Sequence, residues 1–443
     1  MSVFRSTRGA ESVAFPEALF RGLAPDGGLY VPAELGRLDG DLPGRGSGPL
    51  RPLPTDTAFP ESALWAAERL LADMLPPDVL HRITTEALDF DVPLVEVEDG
   101  VFVLELFHGP SLAFKDVGAR FMARAMAALD GAEGRRTVLV ATSGDTGGAV
   151  AAAFHGIERF RVVVLFPRKG ISEGQRRQMT TLGDNVVAVS VAGTFDDCQR
   201  LAKGAFADRD LGEACGLTSA NSINVGRLLP QAFYYVHAAA RLGWRERPAT
   251  FVVPSGNLGN LCAGLLAHRA GMPTTGFVAA CNPNRPFVDY LETGVYRPRP
   301  SLPSLSNAMD VGDPSNLERI RWMYGDDVGR LRGDVRGVAR DDDETRACIG
   351  DVYRRTGRLL DPHTAVAWSA MDEVSAAGVD GSPRVVLATA HPAKFPAVVE
   401  EATGVSVAPP AVLSETFRRP ERMVSLDVDD RALAELLREG IAA

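Results

Sequence analysis

The run VFVLEL (101–106), AFKDVGARFMARAMAAL (113–129), TVLVAT (137–142), TGGAVAAAF (146–154) and RVVVLF (161–166) decides the fold. Short apolar segments alternate here with longer ones whose apolar residues recur at three and four positions, so strand follows helix follows strand. The alternation continues through VVAVSVAG (186–193), a helical stretch from about Phe195 to Asp208, and TFVVP (250–254). Repeated units of this kind predict an α/β fold: an open, doubly wound, mostly parallel sheet with helices on both faces.

Outward from this core the pattern changes. Residues 1–95 read as a small, mainly helical N-terminal region, with helices in FPESALWAAERLLADML (59–75) and PPDVLHRITTEAL (76–88), each opening on Pro in its first turn. A Pro- and Gly-rich stretch from Leu38 to Pro54 reads as a surface loop. Residues 96–408 are the expected catalytic α/β domain, with a smaller subdomain inserted at roughly 137–245, and 409–443 a peripheral helical tail containing RALAELLREG.

Acidic residues outnumber basic ones by 57 to 47, which leaves no broad positive field for nucleic acid. No apolar stretch approaches a membrane span and none opens the chain, so the expected setting is cytoplasmic. Five scattered cysteines and seven scattered histidines show no metal-ligand spacing, and no metal is expected. The chain is compatible with a monomer or a homodimer.

Only four of the 47 basic residues are lysine: Lys115, Lys169, Lys203 and Lys394. Guanidinium stays protonated, whereas an amine can lose its proton and attack a carbonyl. A Schiff base in this protein therefore has four places to form.

In open α/β sheets ligands bind beyond the carboxyl ends of the strands, and four loops there carry unusual sequences. HGPSLAFKD (108–116) sets Lys115 near a helix start, where the helix dipole and desolvation disfavour a protonated amine. SGNLGN (255–260) follows a strand and opens a helix; it reads as a tight turn or as a cradle whose N–H groups, from Gly256, Asn257, Leu258, Gly259 and Asn260, face a small phosphate. It lacks the lysine of a nucleotide P-loop and the GxGxxG pattern of dinucleotide sites. ATSGDTGGAV (141–150) places Ser143, Asp145 and Thr146 at another helix start, as caps or as a seat for a carboxylate. ATAHPAKFP (388–396) offers Thr389 to a pyridine nitrogen and adds Lys394; His391 there reads as a structural histidine.

Together with LSNAMDVGDPSN (305–316), LDPHTAVA (360–367), FRSTRG and GLYVP, these segments resemble the threonine synthase family over about residues 4 to 400. The resemblance implies a fold-type II enzyme dependent on pyridoxal 5′-phosphate (PLP), similar to the tryptophan synthase β fold. Its expected reaction converts O-phospho-L-homoserine and water to L-threonine and phosphate by γ-elimination and β-addition, as a carbon–oxygen lyase acting on phosphate. By that resemblance Lys115 holds PLP as an internal aldimine, Gly256 to Asn260 bind the cofactor phosphate, Thr389 meets the pyridine nitrogen, and Ser143 to Gly147 hold the substrate carboxylate. Arg8, Lys169 and Lys394 are the candidates for the substrate phosphate. One departure concerns Lys169: PRKGIS (167–172) stands where the family carries PxGKIS, which moves the positive charge by one residue. The nearest alternatives are a PLP-dependent phospho-lyase on a phosphorylated amino acid or amino alcohol, a non-catalytic PLP-binding protein, and a nucleotide-binding enzyme.

Overall fold

The computed structural model describes residues 3–9, 12–38, 53–131, 134–244, 246–371, 373 and 381–439. Most of the Pro- and Gly-rich stretch Leu38–Pro54 lies outside the described residues, as does the end of the C-terminal segment.

Three sheets organise the chain. A small antiparallel sheet, β1 (Val3–Ser6), β2 (Ser12–Ala14) and β3 (Tyr30–Pro32), has the order β2-β1-β3. The larger six-stranded sheet contains β4 (Leu94–Glu98), β5 (Val101–Glu105), β10 (Thr250–Pro254), β11 (Gly276–Cys281), β12 (Val335–Ala339) and β13 (Arg384–Ala388) in the order β12-β11-β10-β13-β5-β4. All its pairings are parallel except that of β4 with β5. The five-stranded sheet, all parallel, holds β6 (Arg136–Ala141), β7 (Phe160–Pro167), β8 (Val186–Val191), β9 (Leu217–Ser219) and β14 (Val424–Leu426) in the order β14-β8-β7-β6-β9.

The doubly wound α/β reading therefore holds, with the parallel strands divided between two sheets. Their apolar runs are buried nearly throughout: β8 is buried at every position and β10 likewise. The N-terminal region is helical over Phe59–Leu70 and Pro77–Ala87, and adds the small sheet, whose short strands gave no periodic signal. The C-terminal segment carries more than a peripheral helix. Its β14 extends the five-stranded sheet alongside β8, and Leu433, Leu436 and Leu437 of the helix Asp430–Glu439 are buried against Leu201 and Ala205. That helix is amphipathic, and only the tertiary partner shows that its leucine face is covered.

Because the strands of both large sheets run parallel apart from β4, the loops after β5, β6, β7, β10 and β13 lie at carboxyl ends and lead into helices. Two of them are tied directly: the Phe114 N–H donates to the Thr389 carbonyl at 2.9 Å, and Ala113 bridges Ala390.

The N-terminal region is fastened to this assembly by Arg319, which is fully buried. Its guanidinium donates to the carbonyls of Tyr30, Ser222 and Ile223 and to Asn316 Oδ1, at 3.0, 3.2, 2.5 and 2.6 Å. One side chain thus joins β3, the segment before the helix Val225–Leu228, and the helix Leu317–Tyr324. Arg319→Met fills the space but leaves three carbonyls without their donor, and should cost about 3–5 kcal/mol. Denaturant unfolding of the full chain measures this; a loss below about 1 kcal/mol would refute the clamp.

Candidate active site

The four chemically unusual loops meet in one cavity whose wall includes Phe114, Lys115, Thr142, Ser143, Asp145, Thr146, Gly256 to Asn260 and Thr389. Asn221, Ser222, Arg227, Gln231, Met309 and His363 complete much of the remainder.

Lys115 is the first residue of the helix Lys115–Leu129, and its side chain is 13% exposed. Burial lowers its amine to about 8; the Asp145 carboxylate opposes this, while the charges of Lys394 and Arg227 add to it. An amine in that range is uncharged often enough near neutral pH to act as nucleophile or base.

The loop after β10 has the form of an anion cradle. A Cβ on Gly256 would lie 2.6 Å from Met309 Cα, so only glycine lets these two backbones approach. Leu258 sits in the left-handed region at φ 58° as the cap of the helix Gly259–Arg269. A non-glycine residue held there is strained, and its neighbours fix it: Asn257 donates to Ser222 Oγ at 2.6 Å, accepts from the Ser315 N–H at 2.6 Å, and its carbonyl accepts from Asn316. The Asn257 side chain is thereby spent on shaping the loop.

Two buried donors in this wall lack a partner, Asn260 Nδ2 and Arg227 Nε. The hydroxyls of Tyr234 and Tyr235 donate to Asn260 Oδ1 at 2.6 and 2.7 Å, which orients the amide and leaves its NH2 group over. The Arg227 guanidinium is 3% exposed, donates to the Ala220 carbonyl at 2.6 Å, and is lowered to about 10 by burial. Unpaired buried donors are costly. Two of them in the wall of one cavity, one in the first turn of the helix Gly259–Arg269, fit a small dianion such as a phosphate ester. Arg227 had escaped the sequence reading because arginine makes up nearly all the basic residues, so a further one carries no contrast.

Across the cavity Asp145 opens the helix Asp145–Phe154. Lys394 Nζ lies 2.7 Å from its Oδ1 and Lys115 Nζ 3.8 Å from its Oδ2. Burial would raise this carboxyl, but Lys394, Lys115 and His363 together hold it well below the usual carboxylate range. Gln175 Nε2 also donates to Oδ1 at 3.0 Å. Gln175 closes a capping box with Ser172 of PRKGIS, and Asn307 Nδ2 bonds Gln175 Oε1 and the Gly170 carbonyl, both at 3.1 Å. The exchanged Lys–Gly pair thus leaves a loop that Ser172 and Gly170 anchor through polar contacts.

His363 adds a dyad with Asp361 inside the LDPHTAVA segment, to which the sequence had assigned no role. Its Nδ1 is 2.7 Å from the buried Asp361 carboxylate and its Nε2 accepts from the Ala308 N–H at 3.2 Å. This holds the 307–311 segment against the cradle.

Not every expected residue joins the wall. Arg8 pairs with Glu318 at 2.7 Å on the surface, Lys169 is exposed on the loop after β7, and Lys394 is fully buried behind Asp145. None of the three lines the cavity. Among the described residues, no group of His, Cys, Asp or Glu side chains is arranged to hold a metal ion.

Comparison with known proteins places the geometry in context. The family model described as "Pyridoxal-phosphate dependent enzyme" matches residues 88–390, "Threonine synthase N terminus" matches 3–87, and "Threonine synthase, C-terminal" matches 364–437. The threonine synthase of Haemophilus influenzae is 39% identical over 97% of this chain and 97% of its own. The crystal structure of PLP-bound threonine synthase from Brucella melitensis has a TM-score of 0.89 and 37% identity, covering 99% of both chains. That of Escherichia coli threonine synthase has a TM-score of 0.89 and 36% identity over 100% of both.

The cradle makes a prediction independent of turnover. Arg227→Met should weaken equilibrium binding of pyridoxal phosphate by about ten- to a hundredfold, the worth of one charge-assisted bond. Titration followed by protein fluorescence measures it, and an unchanged affinity would remove Arg227 from the cradle.

Proposed function

The chain belongs to the threonine synthase family of pyridoxal-phosphate-dependent enzymes, and from that premise we propose that it converts O-phospho-L-homoserine and water to L-threonine and phosphate with Lys115 as its catalytic lysine. The observation that carries the residue assignment is the placement of one low-pKa amine, Lys115, in the same cavity as a helix N-terminus with two unpartnered buried donors.

Pyridoxal phosphate, when bound, supplies an electron sink for negative charge at the substrate Cα. In this reading Lys115 holds the cofactor covalently through Nζ. Gly256 to Asn260 and the guanidinium of Arg227 would bind its phosphate, and the Thr389 hydroxyl would meet its ring nitrogen. The free amine of Lys115 would take and return protons at the substrate Cα and Cβ, which an amine near pKa 8 can do in both directions. Ser143 and Thr146 offer hydroxyls, and the start of the helix Asp145–Phe154 its N–H groups, to the substrate carboxylate. The Asp145 side chain serves differently: an ionised carboxylate repels another, and Asp145 is already engaged by lysine. Arg8 and Lys169 remain the candidate cations for the substrate phosphate, reached by movement of their exposed segments. Lys394 is withdrawn from that set, because burial behind Asp145 denies it an outside anion.

No helix among the described residues is long and apolar enough to cross a membrane. A small-molecule biosynthetic role in the cytoplasm is part of the same reading.

The decisive experiment combines spectrum and product. Wild type should show the visible absorbance of covalently held cofactor and release phosphate from O-phosphohomoserine with threonine as the organic product. Lys115→Ala should lose that absorbance and at least about a thousandfold in kcat. Formation of 2-oxobutyrate in place of threonine would favour a phospho-lyase, and covalent cofactor persisting in the variant would refute the lysine assignment.

A further inference from the structure

Lys394 calls for explanation on physical grounds. It belongs to the short turn Pro392–Lys394 after β13, its side chain has no exposed surface, and it does not line the cavity. Burying an ammonium costs several kcal/mol unless well-placed partners repay the loss of water. Its partners are Asp145 Oδ1 at 2.7 Å and the Ser111 carbonyl at 2.9 Å. The Ser111 carbonyl also accepts from Gln178 Nε2 at 2.9 Å, so both acceptors are held in place from several sides.

We propose that Lys394 is a positioning residue for Lys115: by occupying the Asp145 carboxylate from behind, it keeps that carboxylate from pairing closely with Lys115 and leaves Lys115 Nζ available as a free amine. The inference rests on the reading of Lys115 as the cofactor lysine.

The geometry divides one carboxylate unequally between two amines. Oδ1 receives Lys394 at 2.7 Å and Gln175 at 3.0 Å, within hydrogen-bond range, whereas Oδ2 stands 3.8 Å from Lys115 Nζ, beyond it. A single negative charge cannot fully compensate two ammonium groups, and the one with the shorter, doubly supported contact keeps it. Three further titratable groups face this cluster. Arg227 adds positive charge near Lys115, His363 lies near Asp145, and Asp116 near Lys394. Asp116 is raised to about 6 by burial yet stays largely ionised at neutral pH, so its negative charge helps keep Lys394 an ammonium. Removing Lys394 would return the whole Asp145 charge to Lys115, as ammonium rather than amine.

The arrangement also spans the two large sheets. Asp145 follows β6 of the five-stranded sheet, whereas Lys394 and Lys115 follow β13 and β5 of the six-stranded one. The state of the cofactor lysine is therefore linked to contact between the two halves.

The test follows covalent capture of pyridoxal phosphate by the full chain, stripped of cofactor, as a function of pH. For wild type the capture rate should rise about tenfold per pH unit and level off near pH 8, where Lys115 loses its proton. Lys394→Met should move this inflection upward by about one unit or more, slowing capture about tenfold near neutral pH. Asp145→Asn should move it downward, and Lys394→Arg, which keeps the charge, should hold it near the wild-type position. Opposite shifts in the Met and Asn variants would establish the assignment; a merely structural lysine would change yield or stability and leave the inflection where it was. The proposal falls if folded Lys394→Met captures cofactor with the wild-type inflection. Should that variant fail to fold, it falls if Asp145→Asn leaves the inflection unmoved or Lys394→Arg shifts it upward. Lys115→Ala run in parallel isolates the underlying reading, since capture persisting there refutes Lys115 as the cofactor lysine whatever Lys394 does.

Discussion

Positive charge gathered around the buried Asp145 carboxylate is the constraint on which this structure turns. Lys115, Lys394 and Arg227 all lie at or behind one cavity wall, and Asp145 is the ionised group that two of them share. Electrostatic balance in a low-dielectric site is unforgiving: each additional cation disfavours protonation of its neighbours, and each anion favours it. With Lys115 protonated, three cations face two carboxylates, Asp145 and Asp116, and that excess suits a site whose ligand brings phosphate and whose lysine must give up a proton. The orphan donors of Arg227 and Asn260 are the same imbalance seen as hydrogen bonding.

The scaffold makes such a cluster possible by directing parallel strands to a common end. The loops after β5, β6, β10 and β13 supply much of the wall, and each leads into a helix or turn that orients it. Glycine at 256 and the left-handed Leu258 bring the backbone close enough to cradle an anion, and the 305–316 segment, pinned by His363 and Asn257, closes over them. Arg319 ties the N-terminal region to the segment that carries Ser222 and Arg227, so the pocket's outer wall depends on a region remote in sequence.

Much of this was legible in the chain. Apolar runs alternating with amphipathic ones give parallel α/β structure because a strand buried on both faces must be continuously apolar, and Lys115 stood out because lysine is rare here. The loop sequences SGNLGN and ATSGDTG announced helix starts through glycine and hydroxyl residues, whose backbone freedom and capping are local properties. The 424–426 strand and the small N-terminal sheet were not legible, since three or four residues carry too little periodicity to register.

What the sequence determined by itself, then, was whatever depends on neighbours within a few residues: element type, the loops at strand ends, and a lysine at a helix start. The tertiary structure alone decided which charges meet. Lys394 lies 279 positions beyond Lys115 and 249 beyond Asp145 in the chain, and nothing in TAHPAKF distinguishes a lysine that reaches for an outside phosphate from one buried behind a carboxylate. Arg227 likewise became a site residue only once folding had removed its water and left its donor unpartnered in the wall of the same cavity. Burial and charge compensation are properties of a three-dimensional neighbourhood, and they are what convert these side chains from composition into chemistry.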